Sequence, residues 1–258
     1  MPSLLRRRGA VAAVALLAAG AIAHGTQAPA GAYGFAARFT FTGIPRPDGT
    51  TYDSACSGAL VAPRWVLTAG HCFHDADRRP VSGRPPYRTS TVTVGRTDLT
   101  AGGGAVRTVI DVRQAPNQAD VALARLDRPV TVVGSLALST TPPTVGETVR
   151  LAGWGATSST DPAPSTVLRT GTFTVASVSG AIAGMTGLSP AADTSACPYD
   201  SGAPYFRETA RGPRLVAVES EGPDCPHTAP ETTFRADLLV PWVTAQLAAD
   251  AHPPIRRR

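Results

Sequence analysis

The stretch Ser195–Phe206, "SACPYDSGAPYF", sets a serine between an acid and a glycine, four residues after a cysteine. Such a serine is ordinarily a turn residue, because its hydroxyl satisfies nearby backbone groups. A nucleophilic serine needs a base to take its proton and a carboxylate to hold that base in one tautomer. Candidates for both lie upstream. "CSGALVAPRWVLTAGHCF" (Cys56–Phe73) reads as strand, proline-containing turn and strand, with His71 just past an apolar run. "NQADVALARL" (Asn117–Leu126) puts Asp120 at the head of another alternating apolar strand. The order His71, Asp120, Ser201 is one of three chain orders known for such a triad. The α/β-hydrolase elbow, G-x-S-x-G with serine first in the chain, is excluded, because both flanking glycines are missing and the histidine comes first.

The 258 residues suffice for one large domain or two small ones, and 25 glycines with 24 prolines favour short strands joined by many turns. Every basic residue is arginine, which reads as coding bias before function. The formal charge of +5 owes much to the two ends. "MPSLLRRRGAVAAVALLAAGAIA" has a positive start (Arg6, Arg7, Arg8), an apolar run from Ala10 to Ala19 and small residues after it. That is the pattern of a secretory signal peptide over 1–21, too short to stay in a membrane as a span. Cleavage after Ala21 removes the three leading arginines, and Arg256, Arg257 and Arg258 form a basic tail within 251–258. The body between is near neutral, so nucleic acid is not an expected partner.

Cys56, Cys72, Cys197 and Cys225 allow three pairings. An oxidising compartment favours two local disulfides, Cys56–Cys72 and Cys197–Cys225. His71 and His74, with Asp75 and Asp77 nearby, form a weak metal pattern that a polar loop explains better, and no metal or cofactor is expected.

These segments resemble the trypsin/chymotrypsin-type secreted serine endopeptidases, and the chain is identified as a bacterial-looking member of that family. "LTAGHC" resembles the family's histidine motif, "ADVALARL" its aspartate motif and "AGWGAT" (Ala152–Thr157) its Gly-Trp-Gly segment. "CPYDSGAP" resembles its serine motif, and "ESEGPDC" (Glu219–Cys225) the strand and cysteine that wall its specificity pocket. The likeness runs from about Ile22 to Leu247.

The resemblance implies an all-β fold of two six-stranded antiparallel barrels, about 22–127 and 128–236, then a short helix over about 237–249. Leu238, Val243 and Leu247 would face inward after Pro241. It implies peptide-bond hydrolysis in which Ser201 attacks, His71 shuttles the proton and Asp120 orients His71, with the backbone N–H groups of Tyr199 and Ser201 as the oxyanion hole. The family usually has glycine at Tyr199 and at Ala203, so this chain departs from the pattern there. The pocket floor would be Ser195, with Ser220, Glu221 and Gly222 on the wall and Glu231 opposite the floor. Serine at the floor suggests an apolar or aromatic P1 residue, whereas Glu219, Glu221 and Glu231 tilt the expectation toward a basic one. Glu219 and Glu221, two apart on a strand, would share a face; the competing reading makes all three glutamates solvated rim charges. A new N-terminus at Ile22 would fold in to pair with Asp200, unless cleavage falls after Ala23. The implied partners are polypeptide substrates and protein protease inhibitors, with no membrane contact after signal removal, and the implied state is an extracellular monomer. The alternative is a catalytically impaired homologue acting as a secreted binding protein.

Overall fold

The computed structural model describes residues 25–251, so the expected signal peptide, Ile22 and the arginine tail lie outside the described residues. After β1 (Thr26–Gln27) come β2 (Ala36–Pro45), β3 (Thr51–Ala62), β4 (Trp65–Thr68), β5 (Thr89–Val94), β6 (Ala105–Gln114) and β7 (Ala122–Leu126). The last six close into a barrel in the order β2-β3-β4-β7-β6-β5. Alternation makes this possible. In β5, "TSTVTV", Ser90, Val92 and Val94 turn inward while Thr89, Thr91 and Thr93 face outward. The interior is aromatic: Phe39 and Phe41 stack at 5.7 Å, and Phe73 meets them edge-on at 5.7 and 5.3 Å.

The second half contributes β8 (Ala137–Leu138), β9 (Thr148–Gly153), β10 (Arg169–Ser179), β11 (Ile182–Ser189), β12 (Pro204–Arg207), β13 (Arg214–Glu221) and β14 (Glu231–Arg235). Strands β10, β11, β14, β13, β12 and β9 follow one another around a ring, and pairing of β9 with β10 closes it. β8 runs parallel to β13 outside the ring. β1 pairs with β10, so the first described strand is hydrogen-bonded to the second barrel although it precedes the first in sequence.

Several contacts fix the barrels to each other. Phe206 on β12 packs against Tyr33 and Phe35 at 5.1 and 5.2 Å, and the backbone N–H of Ser57 on β3 donates to Ser201 O at 2.9 Å. The helix α1 (Val240–Ala251) follows a single 3-10 turn, Asp237–Leu239. Its Asp250 pairs with Arg125 and accepts the Trp65 indole N–H at 3.2 Å, so the helix docks on the first barrel. One expectation fails here. Leu238 is 52% exposed, and Leu239 is buried in its place. The 3-10 turn shifts the phase of the chain, so the inward series is Leu239, Val243 and Leu247, four residues apart. The two disulfides are Cys56–Cys72 and Cys197–Cys225, with Cα atoms 6.4 and 5.4 Å apart.

Candidate active site

His71 sits on the single turn Gly70–Cys72 that ends β4, and the Cys56–Cys72 disulfide ties that turn to β3. Asp120 lies two residues before β7, whose Ala122 pairs with Thr68 of β4. That register sets the two loops side by side. His71 Nδ1 lies 2.7 Å from Asp120 Oδ2, and the His71 backbone N–H donates to Oδ1 at 2.7 Å. An ionised carboxylate only accepts, so Nδ1 carries the proton and Nε2 is left with a lone pair toward the cleft. The Ser220 hydroxyl donates a further bond to Asp120 Oδ2 at 2.6 Å. Burial by itself would raise the Asp120 pKa. The hydrogen bond and charge of His71, with the Ser220 hydroxyl, outweigh it and hold the carboxyl below its usual range. His74, the second histidine of the weak metal pattern, is engaged elsewhere: its Nδ1 bonds the Asp75 carbonyl at 2.7 Å and its Nε2 the Tyr52 hydroxyl at 3.2 Å.

Ser201 lies in the loop between β11 and β12. The Asp200 N–H donates to Cys197 O at 2.9 Å, closing a turn with Pro198 and Tyr199 at its centre. Tyr199 has φ +78°. Proline in the second position and a positive φ in the third define a type II turn, whose third position favours glycine. Tyr199 holds it with help: the Ser57 hydroxyl donates to its carbonyl at 3.1 Å, and its own phenol donates to Pro162 O at 3.2 Å. Among the described residues neither the Tyr199 nor the Ser201 backbone N–H donates a hydrogen bond, so both remain available beside the serine. Gly202 is required for another reason. At φ +86° a Cβ there would collide with Thr68 Oγ1 and Ser57 O on the first barrel. Ala203, by contrast, is buried without displacing the turn, its N–H donating to Asp200 O at 2.7 Å.

A cleft of about 900 Å³ runs between the barrels, and His71, Asp120, Tyr199, Ser201, Ser220, Glu221, Gly222 and Glu231 all line it. No hydrogen bond joins the Ser201 hydroxyl to His71 among the described residues; such bonds often tighten only when substrate binds. Ser195 departs from expectation. It is buried and absent from this cleft, lining instead a small separate void with Arg169 and Thr194, and its hydroxyl accepts from the His227 N–H at 3.3 Å. Glu231 stands in the cleft wall instead, accepting the Ala196 N–H at 2.6 Å. Glu219 and Glu221 also do not share a face. A bulge at Ser220 pairs Glu219 with Thr233 but Glu221 with Thr232, so Glu219 is buried and Glu221 exposed. Of the three glutamates only Glu221 is a rim charge.

Asp200 is fully buried and accepts the N–H groups of Gly155 and Cys197 at 2.8 and 3.1 Å. Ile22, its expected partner, lies outside the described residues. Ser57 escaped the sequence reading, although it holds the Tyr199 carbonyl and accepts the Trp154 N–H at 2.9 Å. The available signal was a hydroxyl beside Cys56, at the head of the apolar run that ends β3. His227, between Cys225 and Glu231, was missed in the same way.

Two closed antiparallel barrels sharing one polar cleft, with a short helix at the end, are the architecture of trypsin-like proteins. The family model described as Trypsin matches residues 22–243, and the chain belongs to that family. Among curated relatives, a snake venom serine protease from Trimeresurus stejnegeri is 32% identical over 120 residues, 44% of each chain. Seminase from Drosophila melanogaster is 31% identical over 173 residues, 59% of each chain. Serine protease 56 from Homo sapiens is 30% identical over 257 residues, 90% of this chain and 40% of that one. The match thus spans less than two thirds of these relatives' length. Mouse neuropsin, a solved structure, superposes with a TM-score of 0.67 at 21% identity, over 86% of this chain and 98% of the other, which is a likeness of fold. These relatives are all animal proteins, so the bacterial look of the sequence finds no support.

Proposed function

We propose that this chain is a secreted serine endopeptidase that cleaves polypeptides through an acyl-enzyme. The observation that carries the reading is the His71–Asp120 pair at 2.7 Å, held by Ser220 and opening on the same cleft as Ser201. His71 Nε2 takes the Ser201 proton as the hydroxyl attacks the scissile carbonyl, and the imidazolium is steadied by Asp120. The developing oxyanion is met by the Tyr199 and Ser201 N–H groups. His71 then gives the proton to the leaving amine, and water repeats the cycle on the ester. Glu231 in the pocket wall favours arginine or lysine at P1, because a buried carboxylate is costly until a cation meets it.

Residues 1–21 are read as the signal peptide. Release of Ile22 by signal peptidase would let its amino group pair with Asp200, so that no separate activating protease is needed. The proposed working state is an extracellular monomer that meets polypeptide substrates and protein inhibitors. A second reading, an impaired homologue that binds without cleaving, is favoured by the positive φ of Tyr199 in the oxyanion loop. A fluorophosphonate probe with a panel of peptide substrates separates the two. The expected outcome is covalent label on Ser201 with turnover of peptides, both abolished in Ser201→Ala while folding and secretion persist. Turnover at the wild-type rate in Ser201→Ala would overturn the triad, and an unlabelled wild-type chain that retains peptide binding would establish the second reading.

A further inference from the structure

The interior of the second barrel contains a charge problem that one pocket carboxylate does not explain. Tyr205 on β12 lies opposite Ala217 on β13, Glu219 lies opposite Thr233 on β14, and Glu231 is two residues from Thr233. Side chains two apart in a strand point the same way, so Tyr205, Glu219 and Glu231 share the inner face. Glu219 is 2% exposed and Glu231 1% exposed, and the Oε2 atom of each has no hydrogen-bond partner. Both residues line the cleft, with these oxygens buried in its wall and Glu231 Oε2 lying behind Gly222. Gly222 is needed for the same geometry, since a Cβ there would run into Glu231 Oε2.

The groups facing the pair come from every packed element. Tyr205 on β12 sits beside Glu219 out of hydrogen-bond alignment, and Asp200 in the serine loop acts on both carboxylates. Glu221 on β13 adds like charge to Glu219. His227, before β14, lies 3.1 Å from Glu231 Oε1, and its Nε2 is likewise unaligned. No arginine pairs with either carboxylate among the described residues, and the chain contains no lysine. Two buried carboxylates on one face cannot both ionise cheaply.

We infer that Glu219 is a second specificity-determining residue, sharing a proton with Glu231 in the empty pocket, and that a guanidinium or ammonium P1 side chain enters by displacing that proton to solvent. This rests on the endopeptidase reading above and adds to it a pocket whose charge depends on pH. The balance is simple: one cation enters, one proton leaves, and no bond in the substrate changes. Burial pushes Glu231 up to about 8, against the Ala196 N–H bond that lowers it, and Glu219 also rises, through burial and then the charge of Glu231.

The test is the ratio of kcat/KM for two peptides differing only in P1, arginine against phenylalanine, from pH 5.5 to 9. Any step common to the two peptides cancels in the ratio. The expected ratio climbs by up to about tenfold per pH unit and levels near the upper end. In Glu219→Gln the rise shifts to lower pH by about one unit or more, because the remaining carboxylate no longer repels a neighbour. Calorimetric binding of p-aminobenzamidine to the wild-type chain, in two buffers of different ionisation enthalpy, should show about one proton released per amidinium bound at neutral pH. That measurement needs neither turnover nor a folded variant. A flat ratio across the range, or binding without proton release, overturns the shared proton. Loss of all turnover with proton release intact would instead strike the endopeptidase reading and leave the pocket standing.

Discussion

Tyr199 offers a direct test of whether the backbone of the serine loop, rather than its side chains, sets the rate. Its φ of +78° costs a non-glycine residue about 1–2 kcal/mol. Tyr199→Gly relieves that cost but gives the unfolded chain about 0.4–1 kcal/mol of extra entropy. It also loses the phenol bond to Pro162 O and the ring's packing on Ala156 and the Cys197–Cys225 disulfide, together about 1 kcal/mol. These terms nearly cancel, so global stability should move by less than about 1 kcal/mol. Tyr199→Ala makes the same side-chain losses and keeps the backbone cost. With the phenol anchor gone and only the Ser57 bond to its carbonyl left, that cost favours a turn whose third residue has negative φ and whose N–H points away from the oxyanion. A bias of 1–2 kcal/mol raises the flipped population by roughly 5–30-fold, and a fully lost donor costs about 10²–10³ in kcat. The assay is kcat on a peptide anilide with active-site titration, alongside urea unfolding. Tyr199→Gly should keep wild-type kcat within about threefold, and Tyr199→Ala should fall below it by about tenfold. Equal kcat in the two variants would refute the argument that the turn's φ governs the oxyanion donor.

Three further outcomes follow from the same geometry. Because Asp120 is held below the usual carboxylate range, its contribution to stability is present above that range and is lost as pH falls through the depressed value. Ser220→Ala removes a lowering bond and should move acid unfolding, followed by circular dichroism, to higher pH. Replacing Cys197 and Cys225 by serine opens a bridge between residues 28 apart in sequence, and should lower unfolding free energy by about 3–4 kcal/mol in urea titrations. A secreted form with one extra residue before Ile22 should be inactive, with a deficit of about 3–5 kcal/mol, the scale of a broken buried pair at Asp200. N-terminal sequencing that found His24 first in a fully active protein would refute that link.

The sequence by itself carried the order of the candidate triad and the disulfide partners, and the resemblance of its motifs to the trypsin family implied the two-barrel architecture, because each motif is a short pattern. Alternating apolar residues in "TSTVTV" make a half-buried strand wherever they fall. His71 and Asp120 each follow or precede such a strand by a fixed count, so pairing of β4 with β7 brings them together. Leu238 was misplaced because a 3-10 turn has a different residue angle from an α-helix, and nothing in "DLLVPWV" says where one gives way to the other. The pocket was decided by tertiary structure. Whether Glu219 and Glu221 share a face turns on a single bulge at Ser220, which turns Glu221 outward while Glu219 stays buried, and Glu231 is buried by its place on β14. Bulge and register are both set by the neighbouring strands, and together they leave two carboxylates inside a barrel that their local sequence marks as surface.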